Sequence, residues 1–139
     1  MRPAADFATL AVPGPIITAA SKPFWDAASA GRLRVKHCPD CDAWIFYPRA
    51  ICPHCWSGGL VWRDAAGTAT LKTWSTVMRP AHPAWEAVAP YTIGLVELTE
   101  GPTMLTHLLI EPETLTLGLP LRVRFVPVGE HVLPCFEAA

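Results

Sequence analysis

No excess of charge of either sign is present: 11 lysines and arginines stand against 12 aspartates and glutamates, a formal net charge of −1. A chain that holds nucleic acid by neutralising phosphates usually carries a basic excess, so the balance argues against that role. Charged residues make up 17% of the chain and hydrophobic ones 51%, which predicts a packed core rather than disorder. No apolar run approaches the length of a membrane span. The N-terminal part offers no export signal, because Leu10 to Ile17 is cut by Pro13-Gly14-Pro15 and has no continuous apolar core. A nucleophilic-serine motif, a glycine-rich phosphate loop and a paired-carboxylate signature are also missing. Nothing in the residues therefore points to a free-standing enzyme. Long helices are disfavoured too: 15 prolines and 9 glycines break 139 residues into short pieces, which favours an all-β body.

The most specific signal is a pair of Cys-x-x-Cys motifs, Cys38-Pro39-Asp40-Cys41 and Cys52-Pro53-His54-Cys55. Each such turn places two thiolates on one side of a tight backbone knuckle. Two facing knuckles supply four sulfurs at the corners of a tetrahedron, the arrangement zinc takes in structural sites. The spacer from Asp42 to Ile51 is shorter than the usual four-cysteine template, yet long enough for a small hairpin to return the second pair to the first. Disulfides would need an oxidising compartment, and redox chemistry usually uses one exposed pair at a helix start. Iron also suits four thiolates. The reading is a zinc ribbon in a reducing, cytoplasmic setting. Four protein thiolates close the coordination sphere, so the metal is structural. His37 and His54 lie beside the cysteines but read as bystanders, and Cys135 in its apolar tail reads as a small buried hydrophobe.

The chain divides into three regions. Residues 1–36 form an N-terminal segment with a short helix over Pro23 to Ala30, capped by Thr18 or Ser21 and ended by Gly31. Phe24, Trp25 and Ala28 fall on one face of it. Residues 37–60 form the ribbon, entered by an alternating strand at Arg32 to Lys36. Residues 61–139 read as five short strands: Gly67 to Val77, Tyr91 to Glu97, Thr103 to Leu109, Leu121 to Phe125 and Val132 to Phe136. Glu100-Gly101-Pro102 marks a hairpin turn, and Glu111 to Leu117 allows a turn of helix before the fourth strand. That layout predicts a mainly β fold whose body is a five-stranded OB-fold barrel, with an SH3-like barrel as the rival. The proline-rich stretch Arg79 to Pro90, with His82 and Trp85, becomes the long first loop. His82, His107 and His131 are scattered and read as structural or exposed rather than catalytic.

With these parts in order, the chain resembles a known family. The matching residues are Phe24-Trp25, Gly31-Arg32-Leu33, Pro48-Arg49-Ala50-Ile51-Cys52-Pro53-His54-Cys55, Gly67, Pro90-Tyr91 and Gly118. The resemblance runs from about Ser21 to the end. It is to the zinc-ribbon/OB-fold acyl-CoA-associated family, long catalogued as a domain of unknown function. The resemblance implies a non-catalytic accessory subunit of a thiolase-like enzyme (a thiolase, an aldolase acting on CoA thioesters or an acyltransferase), with hydratase-like partners in related cases. On that view the chemistry sits on the partner, and the ribbon/OB subunit scaffolds it or helps shape its acyl-CoA channel.

Several residues become candidate contacts to CoA or to that partner. The Arg49 guanidinium suits a CoA phosphate or an ordinary salt bridge. Phe24, Trp25, Phe46, Tyr47, Trp85 and Tyr91 are aromatics suited to an interface or a pantetheine channel. So much apolar surface on a small barrel predicts a hetero-oligomer, two copies of this chain on a partner dimer. Single-stranded nucleic-acid binding is the alternative, because OB-folds and zinc ribbons both do this elsewhere. Against it, the barrel segment has no basic cluster beyond Arg122 and Arg124.

Overall fold

The computed structural model describes residues 7–139. Helix α1 spans Lys22–Ser29, with Pro23 in its first turn, where a missing N–H costs nothing. It stops where Gly31 turns to φ +77°. The Arg32 amide donates to the Ala27 carbonyl and the Gly31 amide to that of Ala28, at 2.8 and 3.1 Å. This is the Schellman closure that glycine makes easy. The helix buries Phe24, Ala27 and Ala28, three positions on one helical stripe. Trp25, placed by the sequence on the same apolar face, is half-buried.

Next comes a three-stranded antiparallel sheet of β1 (Arg34–His37), β2 (Trp44–Ile45) and β3 (Val61–Asp64), in the order β2-β1-β3. The last of these was not anticipated as a strand. It pairs along the whole of β1, from Arg34 opposite Asp64 to His37 opposite Val61. Asp64 neutralises the charge this brings together: Arg34 Nε lies 3.0 Å from its carboxylate and an Arg32 nitrogen 3.3 Å.

The remaining strands close a barrel: β4 (Thr68–Val77), β5 (Tyr91–Leu98), β6 (Thr103–Leu108), β7 (Pro120–Val128) and β8 (His131–Ala138), ordered β4-β5-β6-β8-β7. β4 pairs with β7 to complete the circle, and β8 lies parallel to β6 with Leu108 opposite Phe136. This is the predicted OB-fold barrel. A 3-10 turn, Pro112–Thr114, precedes β7, and another, Pro83–Val88, interrupts the long proline-rich loop. The alternation in β5 and β6 sends Thr92, Val96, Leu98, Met104, Thr106 and Leu108 inward.

One core joins all three regions. Phe24 of α1, Leu33, and Val35 of β1 pack with Leu71, Val96, Met104, Leu108, Leu121 and Phe136 of the barrel, and the partly buried Trp44 and Phe46 of the ribbon pack against them. A second cluster, at the other end of the barrel, holds Phe7, Leu10, Val88, Val126, Val128 and Cys135. Cys135 is fully buried there, and burial pushes its thiol up to about 12. Among the described residues no helix is long and apolar enough to cross a membrane.

Candidate metal centre and apolar pocket

The two Cys-x-x-Cys knuckles have the same backbone. In the first, the Asp42 amide donates to the Cys38 carbonyl (2.7 Å) and the Cys38 amide to that of Ala43 (2.8 Å). In the second, Trp56 donates to Cys52 and Cys52 to Ser57, both at 2.9 Å. Cys38 and Cys52 are buried while Cys41 and Cys55 are exposed. The four sulfurs lie within 4.8 Å of one another, with Cys38–Cys55 at 3.5 Å and Cys41–Cys52 at 3.7 Å. Those separations are far longer than the roughly 2.05 Å of a disulfide. They match the edge of about 3.8 Å of a tetrahedron with metal–sulfur bonds of about 2.3 Å.

Electrostatics favours a cation in the same place. Desolvation raises the Cys52 thiol, but the Cys55 and His54 amides and the neighbouring thiols outweigh it and bring it down to about 7. At Cys55 the Ser57 amide favours the thiolate, yet desolvation and the other three sulfurs push the group up to about 12. Clustered sulfurs of this kind do not all ionise unaided, and a divalent cation supplies the missing charge. The cluster fits a structural zinc. His37 stands outside it: its Nε2 lies 2.7 Å from Asp42 Oδ1 and its ring leans on Trp44. The exposed His54 contributes its backbone amide, which donates to Cys52 Sγ at 3.4 Å.

Beside the ribbon lies a cavity of about 420 Å³, walled by α1, the turn after β2, strands β6 and β8, and the N-terminal segment near Pro15. Four of the predicted contact residues, Phe24, Trp25, Phe46 and Tyr47, line it. Their rings form a chain: Trp25 to Phe24 at 5.0 Å, Phe24 to Phe46 at 5.6 Å and Phe46 to Tyr47 at 4.2 Å between centroids. Phe24 is buried at 6% exposure while Tyr47 is 53% exposed. Arg49 is not part of this wall. It borders a second, more polar cavity between the ribbon and the β5–β6 turn, together with Asp42, His54 and Glu100.

Trp85 and Tyr91 lie elsewhere again, around His107. The His107 ring stacks on Trp85 at 5.0 Å and touches Tyr91 at 5.1 Å and Phe7 at 5.6 Å. Burial pushes the Tyr91 hydroxyl up and holds the His107 imidazole down to about 4. The Nδ1 of His107 is buried with no hydrogen-bond partner among the described residues. His107 also lines the apolar cavity. Read from the sequence with His82 and His131 as structural or exposed, His107 is not singled out by its chain neighbours, because its surroundings come from Phe7 and Trp85, which are distant in the chain. Trp56 was missed as well. It is 82% exposed at φ +66°, and only its place after the second cysteine pair hints at its conformation.

Comparison with known proteins places this architecture. A family model described as the ChsH2 rubredoxin-like zinc ribbon domain matches residues 25–61, and one described as the ChsH2 C-terminal OB-fold domain matches residues 62–126. The chain belongs to the ChsH2 (DUF35) family. A chain of a solved structure titled "Ltp2-ChsH2(DUF35) aldolase" superposes with a TM-score of 0.80 at 32% identity, over 90% of this chain and 98% of that one. A DUF35 family protein of unknown function from Sulfolobus solfataricus, at 12% identity and a TM-score of 0.62, shares the fold. Among curated relatives, a "Probable enoyl-CoA hydratase alpha subunit" of Thermomonospora curvata is 36% identical over 84% of this chain. A "DUF35 domain-containing scaffold protein" of Pyrococcus furiosus is 34% identical over 57% of it. The ChsH2-family chain spans 37% of the hydratase subunit's length and 58% of the scaffold protein's.

Proposed function

We propose that this chain is a non-catalytic accessory subunit that docks on a thiolase-like, acyl-CoA-processing enzyme, scaffolds it and helps to shape its acyl-CoA channel. The observation that carries this reading is the match, over nearly the full length of both chains, to a ChsH2 (DUF35) chain named as part of an aldolase with Ltp2. The scaffold name carried by the Pyrococcus relative supports it. The surface is also suited to a partner. Tyr47, Ile51 and Trp56 on the ribbon are 53, 48 and 82% exposed, and Leu105 on the barrel is 50% exposed. Exposed apolar side chains of this size on a small protein favour an interface, and Tyr47 and Leu105 border the same cavity. Arg49 borders a cavity that shares Phe46 with the apolar pocket, so a CoA phosphate held there would leave the acyl end near the pocket mouth.

A hydratase-type partner is the second reading, favoured by the Thermomonospora relative. Single-stranded nucleic-acid binding is disfavoured, because Arg122 and Arg124 both turn to the Glu137 carboxylate, at 3.0 and 3.5 Å, which cancels part of their charge. The deciding experiment co-expresses the tagged chain with thiolase-like and with hydratase-like proteins of the same organism. A stable complex with the thiolase-like protein, two chains on a partner dimer by size exclusion, is expected. Co-purification with the hydratase alone moves the assignment to the second reading. A chain that stays monomeric with both at micromolar concentration and is retained on single-stranded DNA at low salt overturns the proposal.

A further inference from the structure

We propose that residues 11–17 are a strap that lifts from the barrel while its two ends stay fixed, joining two apolar cavities into one groove along β8. The proposal does not depend on which partner the chain takes. The strap also lies outside the segments that the family models match.

Both ends are held. Before the strap, Phe7 and Leu10 are buried in the second core cluster, and the Gly129 amide of the β7–β8 turn donates to the Phe7 carbonyl at 3.3 Å. After it, the Thr18 amide donates to Ser21 Oγ at 3.0 Å and the Lys22 amide to the Thr18 carbonyl at 2.8 Å, which ties the chain to the start of α1. Between these anchors, no backbone group from Ala11 to Ile17 bonds to the backbone of another described residue. Pro13 and Pro15 lack an amide hydrogen and fix their own φ, so the segment is stiff and moves as a unit. Ile16 is 91% exposed and Ile17 44%, so the resting position buries little of either. Segments with few buried contacts and no backbone hydrogen bonds open at a low free-energy cost.

A few side chains hold the strap down. Gly14 lies flat on the His131 ring, where a Cβ would come 2.0 Å from Nε2. That ring is the latch. Pro15 and Leu133 border both the cavity of about 420 Å³ beside the ribbon and a smaller one of about 180 Å³ against Trp85, Val128 and His131. The two walls share no other residue, so the contact of Pro15 with Leu133 is the partition. Lifting the strap withdraws Pro15 and merges the two spaces.

The test uses the full, zinc-loaded chain with isotope-labelled methyl groups. Relaxation dispersion should find one exchange process, on the microsecond-to-millisecond scale of lid motions. It should be shared by Val12, Ile16, Ile17 and Leu133 and absent from the buried Val96, Leu98 and Leu108. Gly14→Ala and His131→Ala break the same contact, whether the strap or the ring gives way. Each should raise the open population severalfold, and the double variant should exceed neither single effect by much, because both act on one contact. In a chain labelled with fluorotryptophan, the Trp85 signal should become more solvent-exposed in step with that population, while those of Trp62 and Trp74 stay unchanged. No exchange at the strap, exchange shared with the barrel core, populations unmoved by either substitution, or fully additive effects would overturn the proposal. Where a variant is too unstable to study, the presence and extent of exchange in the parent chain decide it.

Discussion

Asp42 and Trp56 occupy the same position in two copies of one turn. Each follows the second cysteine of its pair, each sits in the left-handed region at φ +63° and +66°, and each donates its amide to the carbonyl of the first cysteine. Aspartate tolerates that conformation, whereas a bulky aromatic residue does so at a cost of about 1–2 kcal/mol. Trp56 is 82% exposed, so folding recovers little of that cost through burial. The fold alone gives no reason for a tryptophan there, and an interface does.

Trp56→Gly should therefore raise the stability of the isolated chain, by up to about 1 kcal/mol, because glycine occupies the left-handed region freely. The gain is bounded by glycine's greater freedom in the unfolded chain. Affinity for the partner should fall in the same variant. Denaturant melts paired with partner titrations check both, and a variant that loses stability would show that Trp56 packs in a way its exposure does not suggest.

One zinc per chain should be found in freshly purified protein. Cys41→Ser or Cys52→Ser should release it and leave the ribbon unfolded, since metal binding contributes on the order of 10 kcal/mol to folding in such sites. Metal analysis and a chelator titration followed by circular dichroism provide the check. Purified protein with neither zinc nor iron would remove the metal from this account.

Much of this architecture was legible in the chain because its signals are local. Cys-x-x-Cys spacing fixes each knuckle, alternation fixes β5, β6 and β7, and Gly31 marks the end of α1. β3 was not legible: Val61–Asp64 has no alternating burial pattern of its own and becomes a strand because β1 lies beside it. The apolar pocket was half legible. Its aromatic wall stands out in composition, but Pro15, Leu105, His107 and Leu133 join it only through tertiary packing. The grouping of Trp85 with surplus surface also differs from what folding does with it. Trp85 is half-buried against Phe7, Tyr91 and His107, and Phe7 lies 78 residues away in sequence.

Stability should fall as the pH drops from about 6.5 to about 4. His107 is held down to about 4 in the folded protein, against 6.5 ordinarily, so in that window the unfolded chain binds a proton the folded one refuses. The full stability is present above pH 6.5, and the loss is complete once the pH is below the folded value. A shift of this size corresponds to about 3 kcal/mol. His107→Phe should flatten this part of the profile, as measured by urea midpoints at several pH values. An unchanged slope would assign the acid sensitivity to other groups.

Gly94→Ala should destabilise the barrel by about 1–3 kcal/mol. A Cβ at Gly94 would come 2.9 Å from the Thr73 carbonyl oxygen and 2.6 Å from Leu108 Cδ1. The leucine can turn away, but the carbonyl belongs to the strand next to the irregularity between Leu71 and Thr73 and has nowhere to go. Gly58→Ala, where a Cβ meets nothing within 4 Å, is the control and should be close to neutral in thermal melts.

Tyr47→Ala and Trp85→Ala should separate assembly from folding. Tyr47 is 53% exposed on the ribbon turn, with its ring tilted by 40° against Phe46, the centroids 4.2 Å apart. Its removal leaves the barrel core untouched. On the accessory-subunit reading it should weaken the complex by about 2 kcal/mol as a partner anchor, with no change in zinc content or melting temperature. Trp85 has its neighbours within this chain. Losing its ring opens the cluster of Phe7, Tyr91 and His107, so the variant should lose about 2 kcal/mol of stability, and any change in partner affinity should vanish once the folded fraction is accounted for. Melts and size-exclusion titrations on both variants decide the matter. Equal losses of assembly at equal stability would place Trp85 at the interface with Tyr47, which requires the loop from Arg79 to Pro90 to swing outward when the partner binds.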